Sequence, residues 1–210
     1  GEVTPPADDD TLAWLALMQH YGAPTRLLDW TYSPFVAAFF ALDILLASRD
    51  ERRMAAVWAI SAKPTANAAI DAFLPDGPVR DAFRQYSIRR EGKPFRCVFM
   101  EADPPVAFVS PVNPYKLNQR LVVQQGLFLC QGDVRRTFED NLRAVPNATE
   151  PANLRKLLLP RSLLSDAFAA LHLMNISHST LFPGIDGYSR NLRHRLGFLR
   201  AGEFFDATEH

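Results

Sequence analysis

Two opposite charges, Arg26 and Asp29, lie three positions apart in a stretch that is otherwise mostly apolar and aromatic, QHYGAPTRLLDWTYSPFVAAFFAL, residues 19–42. A buried Arg–Asp pair can stabilise a loop, with backbone carbonyls accepting hydrogen bonds from the remaining N–H groups of the guanidinium. Alternatively, Arg26 presents its planar fork to a phosphate or carboxylate, and Asp29 orients it. The residues alone leave the structural and the ligand-binding interpretation open.

Further candidates flank this charged pair. His20 and Tyr21 end the first predicted helix just before Gly22, so they adjoin the charged turn; a His in that place is usually a structural hydrogen bonder or a partner of the helix dipole. Ser33 precedes Pro34, a pairing typical of a helix N-cap, and the N–H groups that follow it could face an anion. These residues are therefore candidate ligand contacts that also have ordinary structural roles.

A second polar group interrupts the apolar segment NQRLVVQQGLF, residues 118–128. Gln124 and Gln125 stand between valines and Gly126, and the glycine indicates a bulge or a close backbone approach. The glutamines are either water-facing residues of an edge strand or groups of which one hydrogen-bonds a ligand in a cleft. Both interpretations stay open at this point.

Composition argues against several classes of function. Lys plus Arg equals Asp plus Glu at 23 each, so no net charge favours nucleic acid or a membrane surface. Cys97 and Cys130 stand in apolar runs, which indicates buried thiols in a reducing compartment, and cytoplasm is the expected location. No phosphate-binding loop or nucleophile elbow is present, and His172 and His178 lack companions at metal-ligand spacing. We therefore expect no metal site and no membrane span.

The elements that would position these residues alternate between helix and strand. Apolar spacing predicts a helix from Thr11 to about Gly22, an ordered turn over 23–33, and a very apolar, buried helix at about 34–47. Strands are predicted at 54–61, 95–101, 105–111 and 155–160, and later helices near 134–144, 162–174 and 184–196. The predicted fold is α+β, with a central, mostly antiparallel sheet flanked by helices. We expect a flexible lead-in at 1–10, a single domain over 11–200, and a tail at 201–210.

The quoted stretch resembles the signature of the FRG domain family, Q-H-Y-G-x-P-T-R-L-L-D-W-T followed by a Pro-led apolar helix. NQRLVVQQGLF and TLFPGIDG (180–187) are similar to the family's later blocks and stand in the same order. The family's aromatic-Arg-Gly motif lies upstream of these blocks and is absent from this sequence. We expect that the chain is a fragment and that the motif either precedes Gly1 or has been lost.

The resemblance implies a fold similar to that of ADP-ribosyltransferases and a nucleotide-like ligand, with NAD as a substrate rather than a resident cofactor. It implies Arg26 and Gln125 as catalytic residues. The ligand-binding residues that it implies are His20, Tyr21, Asp29, Trp30, Ser33 and Gln124. The family of transferases places a Glu or Gln in its third block, and the absence of Glu here favours an acceptor other than protein, or binding without turnover. The competing function is a non-catalytic recognition module in which Arg26 and Asp29 are structural.

Overall fold

The computed structural model describes residues 5–74, 76–78, 80–81, 95–113 and 119–184. In chain order, the helices and strands of these residues are α1 (Thr11–His20), β1 (Leu27–Thr31), α2 (Pro34–Ala47), β2 (Ala55–Ile60), α3 (Ala62–Phe73), a π-helix (Arg96–Met100), β3 (Val109–Val112), α4 (Gln119–Val123), β4 (Gly126–Gln131), α5 (Phe138–Ala144), β5 (Leu154–Leu159), a 3₁₀ turn (Arg161–Leu163), α6 (Leu164–Leu173) and α7 (His178–Leu181).

The first two helices begin and end where local sequence signals predict. The Asp10 carboxylate accepts a hydrogen bond from the Ala13 N–H at 3.0 Å and caps α1, which ends just before Gly22 with its positive φ of 85°. Ser33 Oγ accepts from the Val36 N–H at 3.3 Å and caps α2, whose first residue is Pro34. The predicted helix over 34–47 is confirmed at both ends.

The burial of α2 is less complete than its composition suggests. Its buried residues follow one stripe, whereas Phe35 is 49% and Ile44 is 62% exposed. The stripe consists of Val36, Phe39, Leu42 and Leu45. A helix that is apolar on all faces is therefore buried along one face in the described part of the chain.

Among the described residues the strands form two sheets, whereas the sequence predicts one central sheet. One has three strands in the order β1-β4-β3, and the other pairs β2 with β5. Strands β3 and β4 are antiparallel, with Val109 opposite Gln131 and Val112 opposite Phe128. Helices α3 and α5 contact β3, so helices flank strands that are buried along their length. The predicted α+β class is confirmed.

Two segments adopt a different structure from the one predicted. The run at 95–101 contains the π-helix, so the strand predicted there is wrong. The prediction failed because a short apolar run has no periodicity that distinguishes a strand from a buried helix. Its Phe99 ring stacks on Phe108 at 5.3 Å between centroids. The predicted turn over 23–33 contains β1, which pairs with β4. The helix predicted at 184–196 lies outside the described residues, except for its first position.

The chain divides into two compact units. The first unit is Gly1–Trp30, Trp58–Leu117 and Gly126–Lys156; the second unit is Thr31–Val57, Asn118–Gln125 and Leu157–His210. In the second unit, the buried stripe of α2 packs against side chains from α6 and α7, namely Leu164, Phe168, Leu171 and Leu181. The largest fully buried side chains of the first unit include Leu12, Phe95, Val109, Val112 and Leu129.

Candidate functional site

Arg26 is a half-buried residue of the first unit, immediately before β1. Its Nη1 donates a hydrogen bond to the carbonyl oxygen of Phe99 in the π-helix. Phe99 lies in the last turn of the π-helix, whose carbonyls can accept hydrogen bonds from outside the helix. Arg26 therefore fastens the start of β1 to the π-helix.

The guanidinium of Arg26 also lies close enough to Cys130 to influence its ionisation. Burial raises the pKa of the Cys130 thiol far above its usual range, and the positive charge of Arg26 only partly opposes this shift. The thiol is therefore neutral at pH 7 and does not act as a counter-ion. Within the described part of the chain, Arg26 makes one hydrogen bond and no ion pair.

Asp29 lies in β1 and is exposed. Its carboxylate accepts a hydrogen bond from Gln19 Nε2 at 2.9 Å, and the side-chain Oε1 of Gln19 accepts one from the Thr25 hydroxyl. The partner of Asp29 is thus Gln19, on α1, and not Arg26, although the two charges are three residues apart. Sequence reasoning missed Gln19 and Thr25 as partners; both are polar residues of the stretch that contains Arg26.

The aromatic candidates of the first unit differ in exposure. Tyr21 is 68% exposed and meets the ring of His20 edge to face, with the centroids 5.1 Å apart. Trp30 is half-buried, and its indole Nε1 is fully buried without a hydrogen-bond partner among the described residues. A buried indole N–H without an acceptor has lost its hydrogen bond to water and gained none in return, which costs free energy.

In the second unit, the residues before α2 are hydrogen-bonded to the turn that contains Gln124 and Gln125. Thr31 Oγ1 donates to the Gln124 carbonyl at 2.7 Å, and the Tyr32 N–H donates to the Gln125 carbonyl at 2.9 Å. Ser33 is buried and its hydroxyl is engaged as the cap of α2. The two blocks that the sequence singled out are therefore neighbours.

The two glutamines have different environments. Gln124 is 9% exposed, and its Nε2 donates to the Leu181 carbonyl at 3.0 Å, so its side chain serves the fold. Gln125 is exposed and its φ is 49°, in the left-handed region that residues with a Cβ rarely occupy. Of the two, Gln125 has its amide available to a ligand.

Other kinds of site find no support in the described residues. They contain no group of three or more His, Cys, Asp or Glu side chains arranged to hold a metal ion. None of their helices reaches the length and hydropathy that crossing a lipid bilayer requires.

The family model of the FRG domain matches residues 2–50, a segment that includes α1, β1 and α2. No curated protein and no solved structure matches the chain. Arg26, Asp29 and Gln19 all lie in the matched segment. The match confirms the resemblance for the first block, residues 19–31; the later blocks at 118–128 and 180–187 lie outside the matched residues.

Proposed function

We propose that this chain binds a nucleotide-type ligand of the NAD or ADP-ribose class, with Arg26 as the contact for its phosphates. The observation that carries the proposal is the state of the guanidinium. Arg26 is half-buried, and its hydrogen bond among the described residues goes to a neutral carbonyl. A guanidinium has five N–H donors and a permanent charge, so an anionic oxygen would satisfy both.

Neighbouring groups of the first unit suit the rest of such a ligand. Tyr21, 68% exposed, offers an aromatic face on which a base or nicotinamide ring can stack, and the half-buried Trp30 offers part of a second ring. Asp29 is an exposed carboxylate held by Gln19, and a carboxylate is a suitable acceptor for ribose hydroxyls. His20 lies against Tyr21 and would support that ring.

A transferase activity is the catalytic extension of this proposal. The reaction would break the bond between nicotinamide and ribose in NAD, release nicotinamide, and join ADP-ribose to a nucleophilic acceptor. Arg26, in the first unit, would bind the pyrophosphate. Gln125, in the second unit, has an exposed side-chain amide whose chemistry suits a ribose hydroxyl. The side chains of Ser33 and Gln124 already form hydrogen bonds within the protein, so we do not expect either to contact the ligand directly. NAD is then a substrate, and the two free cysteines suit the cytoplasm.

The second candidate function is a recognition module without catalysis. It is favoured by the hydrogen bond from Arg26 to the Phe99 carbonyl, because an arginine that joins two elements through a backbone carbonyl needs no ligand to explain it. In that case Arg26 and Asp29 stabilise the fold, and a partner binds elsewhere.

Thermal shift and calorimetry with NAD and with ADP-ribose separate the two functions. At a ligand concentration of 100 Kd, binding stabilises the folded state by about 2.7 kcal/mol, which raises Tm by about 5–10 °C in a protein of this size. Arg26→Ala removes charge-assisted hydrogen bonds, so we expect ligand affinity to fall about 10- to 100-fold. Catalysis is tested by measuring the nicotinamide that the chain releases from NAD. We expect release by the unaltered chain and none by Gln125→Ala.

Arg161→Ala is the matched control. Arg161 is also half-buried, belongs to the second unit, and donates to the Leu45 carbonyl at 2.9 Å and the Ser48 carbonyl at 3.2 Å. Both variants lose a guanidinium that donates hydrogen bonds to backbone carbonyls, so both should have a lower Tm. Only Arg26→Ala should have a lower affinity for NAD and ADP-ribose. Absence of any shift at millimolar NAD and ADP-ribose, with similar losses of stability in both variants, would support the recognition module.

A further inference from the structure

The short helix α7 is linked to the middle of α2 within the second unit. His178 is 5% exposed, and its Nε2 lies 2.9 Å from Asp43 Oδ1 on α2. The His178 ring also meets Phe39 edge to face, with centroids 5.0 Å apart, and stacks on Phe182 at 5.7 Å. A polar and an aromatic contact thus fix α7 on α2.

The same helix is linked to α4 and to the turn that follows it. Gln124 Nε2 donates to the Leu181 carbonyl at 3.0 Å. The Arg120 guanidinium lies over the Phe182 ring, 4.8 Å from its centroid. One hydrogen bond and one cation–π contact therefore hold the end of α7 against the segment that leads to Gln125.

These links close a ring of contacts, because the turn is also bonded to the chain just before α2. Thr31 Oγ1 donates to the Gln124 carbonyl and the Tyr32 N–H to the Gln125 carbonyl. The ring runs from the start of α2 to the turn, from the turn to α7, and from α7 back to Asp43 on α2. We call Gln124, Leu181, His178 and Asp43 the α7 bridge.

The α7 bridge and the bonds from Thr31 and Tyr32 both reach the turn in which Gln125 has its positive φ. A residue with a Cβ at a φ of 49° is under strain, and such strain persists only where the surrounding structure holds it. The carbonyls of Gln124 and Gln125 and the side chain of Gln124 are all bonded. The exposed side chain of Gln125 therefore projects from a turn that these three hydrogen bonds hold.

We propose that Asp43 and His178 are positioning residues that hold the Gln124–Gln125 turn through the α7 bridge. Neither touches Gln125; they act by fixing α7, whose Leu181 carbonyl receives the Gln124 amide. The functional consequence, precise placement of the Gln125 side chain for the ligand, rests on the proposed function, whereas the mechanical role does not.

Hydrogen exchange measured by NMR tests the mechanical role. The Tyr32 amide donates to the Gln125 carbonyl, and the Gln125 amide donates to the Val122 carbonyl at 3.1 Å, so both amides report on the turn. His178→Phe keeps an aromatic ring and loses the bond to Asp43; Gln124→Leu loses the bond to Leu181. We expect each substitution to speed exchange at both amides by about tenfold, as befits the loss of one buried hydrogen bond.

Leu171→Ala is the control, because Leu171 belongs to the same buried cluster and takes no part in the bridge. At conditions of equal global stability, it should leave exchange at Tyr32 and Gln125 unchanged. His178→Gln retains a donor near the position of Nε2 and should restore slow exchange. Equal exchange in the control and the bridge variants, or failure of His178→Gln to restore protection, would overturn the proposal. If His178→Phe does not fold, Asp43→Leu, which loses the same contact from the α2 side, takes its place.

Calorimetry with ADP-ribose tests the functional consequence separately. If the chain binds this probe, His178→Phe should weaken binding about tenfold relative to Leu171→Ala, because a loosened turn places Gln125 less well. Unchanged binding would overturn the functional consequence. If the unaltered chain does not bind ADP-ribose at all, the proposed function fails, and the exchange measurements still decide whether the bridge exists.

Discussion

Gln125 combines an exposed amide with a backbone conformation that a side chain makes unfavourable. For an L-residue, the left-handed region costs roughly 1–2 kcal/mol, and asparagine or glycine tolerates it better. We therefore predict that Gln125→Asn is neutral or slightly stabilising, whereas Gln125→Val, which is branched at Cβ, loses about 1 kcal/mol or more. Urea unfolding of the two variants and of the unaltered chain measures the difference. A valine variant as stable as the asparagine variant would show that φ is not positive at this position.

At the scale of elements, the loop between β4 and α5 is built around the buried residues Asp133 and Asn141. The Asp133 carboxylate accepts hydrogen bonds from Arg135 Nε at 2.9 Å and from Arg135 Nη2 and its backbone N–H at 3.0 Å. The Asn141 Oδ1 accepts a hydrogen bond from the Asp133 backbone N–H at 3.0 Å, and the Asn141 Nδ2 donates one to the Asp133 backbone carbonyl at 2.9 Å. The hydrogen bonds from the Arg135 side chain and backbone lower the pKa of Asp133 to about 2.

This depressed pKa predicts how stability depends on acid. The folded carboxyl has its pKa below the ordinary value of 3.8, so its stabilising effect is complete above about pH 4 and is lost as pH falls through about 2. We expect Asp133→Asn to be less stable than the unaltered chain at pH 7 and to lose less stability between pH 4 and pH 2. Urea midpoints at the three pH values measure this.

Glu139→Gln provides the comparison, because Glu139 is an exposed carboxylate of the adjoining helix α5. The urea midpoints of Glu139→Gln should change with pH in the same way as those of the unaltered chain. Parallel profiles for Asp133→Asn and the unaltered chain would contradict the role given to Asp133.

At the scale of the whole molecule, neither compact unit is a continuous piece of chain. The backbone passes between them five times, at 30/31, 57/58, 117/118, 125/126 and 156/157. Because each unit depends on several separate segments, we predict that the two unfold in one cooperative transition. This is also the behaviour expected of the single domain that the sequence predicts over 11–200.

Tryptophan fluorescence tests this cooperativity, because Trp14, Trp30 and Trp58 all lie in the first unit. Leu171→Ala removes a buried side chain of the second unit, 4% exposed, and should destabilise by about 3 kcal/mol. Its unfolding midpoint should fall equally by tryptophan fluorescence and by far-UV circular dichroism. A dichroism transition that shifts while the fluorescence transition stays in place would show that the units unfold separately.

Helix ends were the most predictable part of the fold, because their signals are local. Asp10 and Ser33 cap α1 and α2 through bonds to N–H groups three residues away, and such bonds depend only on nearby sequence. The run at 95–101 carries no comparable signal, and packing against the Phe108 ring accompanies its π-helix. Leu27–Thr31 is likewise a strand because it pairs with β4, and local sequence patterns do not specify that partner.

The sequence by itself determined which residues are unusual: a charged pair in an apolar stretch, two glutamines before a glycine, and a segment that matches the FRG domain family model. Only the tertiary structure decided their partners. Arg26 bonds Phe99, 73 residues away, and Asp29 bonds Gln19, although the sequence placed the two charges within reach of each other. The reason is physical: side-chain type fixes what a group can bond, but the partner is the group that folding brings within about 3 Å, and that depends on contacts between distant segments.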